Sequence, residues 1–383
     1  MLAKHRDSIA FWIFGFCNHF QALLILSAAE DILTPSTDHI HIKSTGIILL
    51  SHIIPGLTTK MLASIYFDRI GFIARFTIII STNVISLFFV GIFTNKYLCV
   101  VGVILGGIGI SLGEISILAL TSSYSKSTIG LFSSGTGMSG LVGSFSYAVL
   151  REMRFSRLQV MMAAELIPAF YLITYVWVLG RPENVSKEHI SLSSGKLIKN
   201  ESLHKSSETI ILTREEKIVV LRNVFKFNVI LFIVFSSEFY INLGLMQSIK
   251  FQSIFLSNAS QYRFYLLFYN VGVFIARSSI GFLQIPFKGV AIAACIQCMN
   301  AIFFTIEVFK QFIPTIWITF IIIFIEGIIG GACFVNILHI VSKESSDELR
   351  EYSIAVCTLG EDTGITFAGF VSIFAHEMII RKH

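Results

Sequence analysis

Charge is scarce in this chain: Asp, Glu, Lys and Arg make up 14% of 383 residues, against 54% hydrophobic residues and a mean hydropathy of +0.75. So little charge excludes an ordinary soluble domain and points to a polytopic membrane protein. The basic residues behind the net charge of +5 are scattered over short loops, which excludes a nucleic-acid-binding face and fits a membrane surface. No disulfide framework follows from the six cysteines, because Cys17, Cys99, Cys295, Cys298, Cys333 and Cys357 all fall in apolar runs, where a thiol packs as a small hydrophobe. Cys295-Ile-Gln-Cys298 has redox or zinc spacing but no second ligand pair, and reads as helix packing. The first apolar run, entered at Ile9, lacks a small-residue cleavage site and is expected to remain as a transmembrane helix. There is no His-Glu metal motif and no nucleophile with an identifiable base, so neither an enzyme nor a cofactor is expected.

Aromatic residues are missing altogether from Arg181 to Arg222, although the chain holds 36 Phe. Rich in Ser, Lys and Glu, this stretch cannot bury enough apolar area to repay the entropy of ordering, and reads as a polar linker. Its end, from Thr213-Arg-Glu-Glu216, has a capping-box pattern that predicts a short amphipathic helix carrying Ile218, Val219 and Leu221. On either side lie runs long enough to cross a bilayer, a crossing needing about 20 apolar residues. The first half offers 9–29, 46–66, 72–93, 97–124, 130–150 and 158–179; the second offers 224–245, 262–282, 287–309, 314–335 and 352–380. The expected architecture is therefore all-α with about 11 transmembrane helices. It divides into a six-helix bundle over 1–180, a linker over 181–222 and a bundle of about five helices over 223–383.

Lys4 and Arg6 precede the first span, and the linker carries eight Lys or Arg residues, which places the N-terminus and the linker on the cytosolic side. On that orientation Asn258 of Asn258-Ala-Ser260 is the luminal glycosylation acceptor, while Asn184 and Asn200 face the cytosol. Asp38-His39-Ile-His41 falls in the first luminal loop without a third firm metal ligand, and no metal site is expected.

Gly135-Thr-Gly137-Met-Ser-Gly140 matches a dinucleotide-binding pattern, but no strand precedes it and no βαβ unit surrounds it. With Ser133, Ser134, Ser139, Gly143 and Ser144 it instead makes a smooth helix surface for close approach. Ionisable residues inside the spans are more informative, because each costs on the order of 3 kcal/mol to insert. They are Glu114, Glu238, Arg277, Glu326 and the pair Glu361-Asp362, joined by the polar Asn18, His19 and Gln21 of the first span. Either they form buried ion pairs, such as Glu238 with Arg277, or they line a cavity in which carboxylates exchange protons and Arg277 holds an anionic group.

Tyr66-Phe-Asp68-Arg69-Ile-Gly71-Phe-Ile-Ala-Arg75 resembles the cytosolic loop motif of the major facilitator superfamily, with Phe72 and Ile73 where that motif doubles its basic residue. The resemblance implies a gate built from Asp68, Arg69, Gly71 and Arg75. A longer series resembles the battenin family of lysosomal and vacuolar membrane proteins: Phe11 to Asn18, Leu26 to Leu33, Leu112-Gly-Glu114 and Ser133-Ser-Gly-Thr-Gly137. Glu238-Phe-Tyr-Ile-Asn242, Gln261 to Tyr265, Arg277-Ser-Ser279, Glu326 to Gly331 with Asn336, and Ser346-Asp-Glu348 continue it in the same order. The N-terminus is short and the C-terminus lacks the prenylation box of some members. Glu361 also departs from the family pattern, in which a small polar residue precedes the Asp.

The resemblance implies a facilitator-like fold and residence in an acidic organelle. It also implies a part in pH homeostasis and in handling basic amino acids or glycerophosphodiesters. The expected function is an alternating-access secondary transporter for a small polar or anionic metabolite, with protons as a candidate partner. Its substrate or proton pathway is expected to use Glu238, Asn242, Arg277, Glu326, Asn336 and Asp362 from the second half, facing Asn18, His19 and Glu114 from the first. The competing class is a non-transporting membrane protein that regulates trafficking or pH through adaptors on the linker.

Overall fold

The computed structural model describes residues 2–33, 46–66, 71–121, 124, 127–179, 214–252, 256–346 and 349–382. Asp38, His39 and His41, Asp68 and Arg69, Gly180, residues 181–213 of the linker with Asn184 and Asn200, and Asp347 and Glu348 lie outside the described residues. Within them the chain forms eleven long helical segments, as the hydrophobic runs predict. They are α1 (Leu2–Ser27), α2 (Gly46–Tyr66), α3 (Phe72–Ile92), α4 (Lys96–Thr121), α5 (Ser127–Glu152) and α6 (Arg157–Val178) before the linker. After it come α7 (Arg214–Phe239), α8 (Asn258–Ser278), α9 (Phe287–Lys310), α10 (Ile316–Glu344) and α11 (Arg350–Lys382).

Ten segments are long and apolar enough to cross a membrane. The remaining one, α5, has 26 residues but so many Ser and Gly that its hydropathy is lower. It tolerates that composition because it packs against α1 on one side and α8 on another, its small residues facing helix backbones rather than lipid. A Cβ on Gly135 would overlap the Trp12 carbonyl, and one on Gly15 of α1 would overlap the Phe132 carbonyl. These two helices therefore pack backbone to backbone.

The same device recurs: Gly107 lies on His52 where α4 meets α2, Gly327 on Tyr269 where α10 meets α8, and Gly364 on Phe232 where α11 meets α7. Close pairs α1–α5 and α2–α4 before the linker are thus matched by α7–α11 and α8–α10 after it. The most extensive contacts between the sets are α5 with α8 and α2 with α11. What lies between those contacts is enclosed by helices from both.

One boundary moves. The short amphipathic helix expected at the end of the linker is not a separate element: α7 is continuous from Arg214 to Phe239, so the second hydrophobic run begins inside a helix already under way. Helix-forming residues Arg214-Glu-Glu-Lys217 supply the entry, with Glu215 and Glu216 favourably placed at the positive N-terminal end. Val220 and Val224 are buried there, whereas Ile218, Val219 and Leu221 are exposed.

Candidate functional site

Between the two sets of helices lies a cavity of about 120 Å³, lined from α1, α2, α4 and α5 on one side and from α7, α8 and α11 on the other. Its most polar wall is built around Lys60. This side chain is 3% exposed, and its Nζ lies 2.8 Å from Glu114 Oε2 on α4 and 2.7 Å from Asp362 Oδ2 on α11. An ammonium in such a place is tolerable only with charge partners, and two helices deliver one each. The pair Lys60–Asp362 also crosses from the first set of helices to the second.

Glu361, adjacent to Asp362, borders the same cavity, and its buried Oε2 has no hydrogen-bond partner. Across from it Arg277 of α8 donates to Thr136 Oγ1 on α5 at 2.6 Å, and its guanidinium stacks over the Phe334 ring with 4.2 Å to the centroid. The Arg277 Nε has no partner. His19, His52, Ser111, Tyr269 and Asn270 add to the polar lining, His19 with its ring edge-on to Phe132. The cavity is therefore bordered by a cation and a carboxylate that each keep a buried atom without a hydrogen-bond partner, a combination suited to a small solute with an anionic group and a donor group.

Of the residues expected to form the pathway, His19, Glu114, Arg277 and Asp362 meet here. Asn18 does not: its Nδ2 donates to the Ile110 carbonyl at 3.0 Å and its Oδ1 accepts from Tyr171, tying α1 to α4 and α6. Asn336 accepts from the Ile285 backbone N–H at 2.7 Å and holds the α8–α9 connection against α10. Of the two alternatives left open for these residues, the ion pair of Glu238 with Arg277 is not formed: the Glu238 carboxylate is turned to Tyr269, which donates its phenol proton to it. Gly71 precedes α3 as its N-cap, and Arg75 is buried on that helix with its guanidinium 5.8 Å from the Phe72 ring centroid.

Glu238, Asn242 and Glu326 instead form a second cluster away from the cavity wall. Immediately after Glu238 the helix widens into a π-helical segment, Tyr240–Leu245, which aims Asn242 at α10. The Asn242 Nδ2 donates to the Glu238 carbonyl and to Glu326 Oε1, both at 2.9 Å, and Gln297 of α9 donates to the same Glu326 oxygen at 3.4 Å. Glu238 and Glu326 are 1% and 0% exposed.

A third polar group sits where α1 and α5 end and α8 begins. Asp31 accepts from Tyr147 at 2.6 Å and from Arg151 at 2.9 Å, while Arg263 of α8 bonds Glu152 at 2.9 Å and approaches Asp31 at 3.9 Å. Asn258 is exposed in the opening turn of α8, whereas Ser260 of the same sequon is buried and donates to Glu152. Among the described residues no group of three or more His, Cys, Asp or Glu is placed to hold a metal ion.

Sequence reasoning missed Lys60, although an ionisable residue in an apolar run is the signal that found Glu114. Near the end of its span, a lysine reads as one that reaches the interface with its long stem. Tyr269 carries no such signal, since a tyrosine in a hydrophobic helix is ordinary.

Helices that pair in the same pattern before and after the linker, around a central polar cavity, define a multi-pass membrane protein with the major facilitator fold. The crystal structure of the nucleoside transporter NupG has this fold too, with a TM-score of 0.60, 16% identity, and coverage of 99% of this chain and 92% of that one. Residues 9–382 match the family model described as CLN3 protein. Battenin of Canis lupus familiaris is 31% identical over 98% of this chain and 92% of its own length. Protein btn1 of Schizosaccharomyces pombe is 30% identical over 95% and 91%, and Protein BTN1 of Yarrowia lipolytica 27% over 97% and 93%. The chain belongs to the CLN3, or battenin, family.

Proposed function

We propose that this protein is a secondary transporter of the lysosomal or vacuolar membrane, moving a small polar metabolite by alternating access. The observation that carries the reading is the cavity itself: it lies between helices of the two sets, the position around which two bundles rock in alternating access. In this reading residues 1–180 and 223–383 form the two bundles, with the N-terminus and linker in the cytosol. Arg277 receives the anionic group of the solute, and Glu361 accepts from a hydroxyl or ammonium at its other end. A glycerophosphodiester carries such a group in its phosphate, a basic amino acid in its carboxylate. Support for these two classes and for an acidic organelle comes from the family resemblance.

The test is metabolite profiling of purified lysosomes or vacuoles from cells lacking the protein, rescued at matched levels with wild type, Arg277→Ala or Glu361→Gln. A small set of polar metabolites is expected to accumulate, to clear with wild type and to persist with Arg277→Ala. Removing a charge-assisted contact of about 1.5–3 kcal/mol corresponds to roughly a ten- to hundredfold loss of affinity. An unchanged profile, or full rescue by both variants, overturns the proposal and favours the trafficking role, for which deletion of residues 188–207 is decisive.

A further inference from the structure

The cluster around Glu238 and Glu326 holds two carboxylates that are almost wholly buried, and the described residues offer neither an ion pair. Its donors are all neutral: the Tyr269 phenol, the Asn242 amide and the Gln297 amide. Acceptors outnumber them, for Glu238 Oε2, Glu326 Oε2 and Asn242 Oδ1 are each buried with no hydrogen-bond partner. Asn242 is itself 3% exposed, and its amide nitrogen is committed to Glu238 and Glu326, so its oxygen cannot be exchanged for a donor without breaking both bonds.

The surrounding groups do not supply the missing positive charge. From α8, Arg277 exerts its field on Glu238, but its guanidinium is engaged by Thr136 and Phe334. From α10 the titratable neighbour is Cys333; α9 brings Cys298, which meets Ser237, and α11 brings His376, which meets Gln247 beyond the π-helical segment. Two uncompensated carboxylates so deeply buried would cost several kcal/mol each, on the order expected for unpaired buried ions. Packing also decides against a bulky ligand: a Cβ at Gly330, one turn from Glu326, would overlap the Glu238 carboxylate. A proton needs no volume, neutralises one carboxylate and supplies the donor that an orphaned oxygen lacks.

We infer that Glu238 and Glu326 are a proton-binding site inside the second set of helices, separate from the solute cavity and joined to it through Tyr269. Tyr269 is the joint because its phenol donates to Glu238 while the same residue borders the cavity. It acts as a positioning residue. The coupling role rests on the transporter reading; proton binding does not.

The experiment is infrared difference spectroscopy of the full-length protein in lipid nanodiscs during a pH titration. Wild type is expected to show a protonated-carboxyl C=O band. Glu326→Gln or Glu238→Gln is expected to reduce it by the intensity of one carboxylic acid, and Tyr269→Phe to keep the band but move its frequency. Intensity unchanged in both Gln variants overturns the site, and a frequency unmoved by Tyr269→Phe overturns the link to the cavity. Should a Gln variant not fold, wild-type thermal stability in sodium against choline chloride at one pH and ionic strength still decides. A rise with sodium replaces the proton by a metal cation and overturns the proposal, whereas equal stability supports it. Because neither readout needs a transported solute, failure of the transporter reading leaves this result standing, and failure here leaves that reading standing.

Discussion

Two sets of charges tie the helices before the linker to those after it, and they differ in how much water they keep. Around Lys60, the three side chains joining α2, α4 and α11 are 3–8% exposed. At the end of α1 and α5, Arg263 of α8 meets Asp31 and Glu152 with side chains 11–45% exposed. The outer group balances Arg151 and Arg263 against Asp31 and Glu152. By contrast, the inner one sets a single lysine against Glu114 and Asp362, with Glu361 beside them. Desolvation makes the inner group depend on its exact partners, while water can replace a partner in the outer one. The inner group also faces the cavity, where a solute that brings charge would redistribute those pairings. The outer group can part without stranding a fully buried charge.

Breaking the inner group should therefore cost most. Lys60→Met leaves Glu114 and Asp362 without their cation, and a loss of about 3–5 kcal/mol is expected. Thermal unfolding of the purified protein reads it, and a Tm equal to that of wild type would remove Lys60 as the joint. An intermediate effect is expected at the close contact of α5 with α8, where a Cβ at Gly137 would lie 3.0 Å from the Phe274 Cα. Gly137→Leu overpacks that contact and should cost about 1–3 kcal/mol; the same unfolding measurement, finding no change, would show that the helices are free to separate there. The smallest effect belongs to the outer group. Arg263→Ala should cost no more than about 1 kcal/mol, and the difference from wild type should shrink as salt is raised. A loss as large as that of Lys60→Met, insensitive to salt, would abolish the contrast between the two groups.

The helices were legible because crossing a bilayer imposes a length, and 46–66 and 287–309 stand out as apolar runs of that length. Even α5, with its weaker hydropathy, was read as the run 130–150, and its stripe of small residues as a surface for close approach. The start of α7 was legible in the capping-box pattern Thr213-Arg-Glu-Glu216; its unbroken run into the apolar span was not, since a short interfacial helix and the polar first turns of a spanning helix share a composition. Within the site, charge in an apolar run pointed to Glu114, Arg277 and Asp362, which the structure places around one cavity. It could not say which partners, and Lys60 was overlooked for lying near the end of its span.

Composition and periodicity alone thus determined that the chain spans a membrane many times, where a polar linker interrupts it, and which side chains are too costly to leave in lipid. Each follows from transfer energies that act residue by residue, without knowledge of neighbours. Tertiary structure decided the rest: that Lys60 joins Glu114 to Asp362, that Glu238 turns to Tyr269 and away from Arg277, and that Glu361 faces the cavity while Asn18 and Asn336 hold backbones. These depend on the rotation of each helix about its axis, which is set by backbone contacts at residues such as Gly135 and Gly327. A side chain's partners in a helical membrane protein belong to the packing of several helices at once, and no single run of sequence contains them.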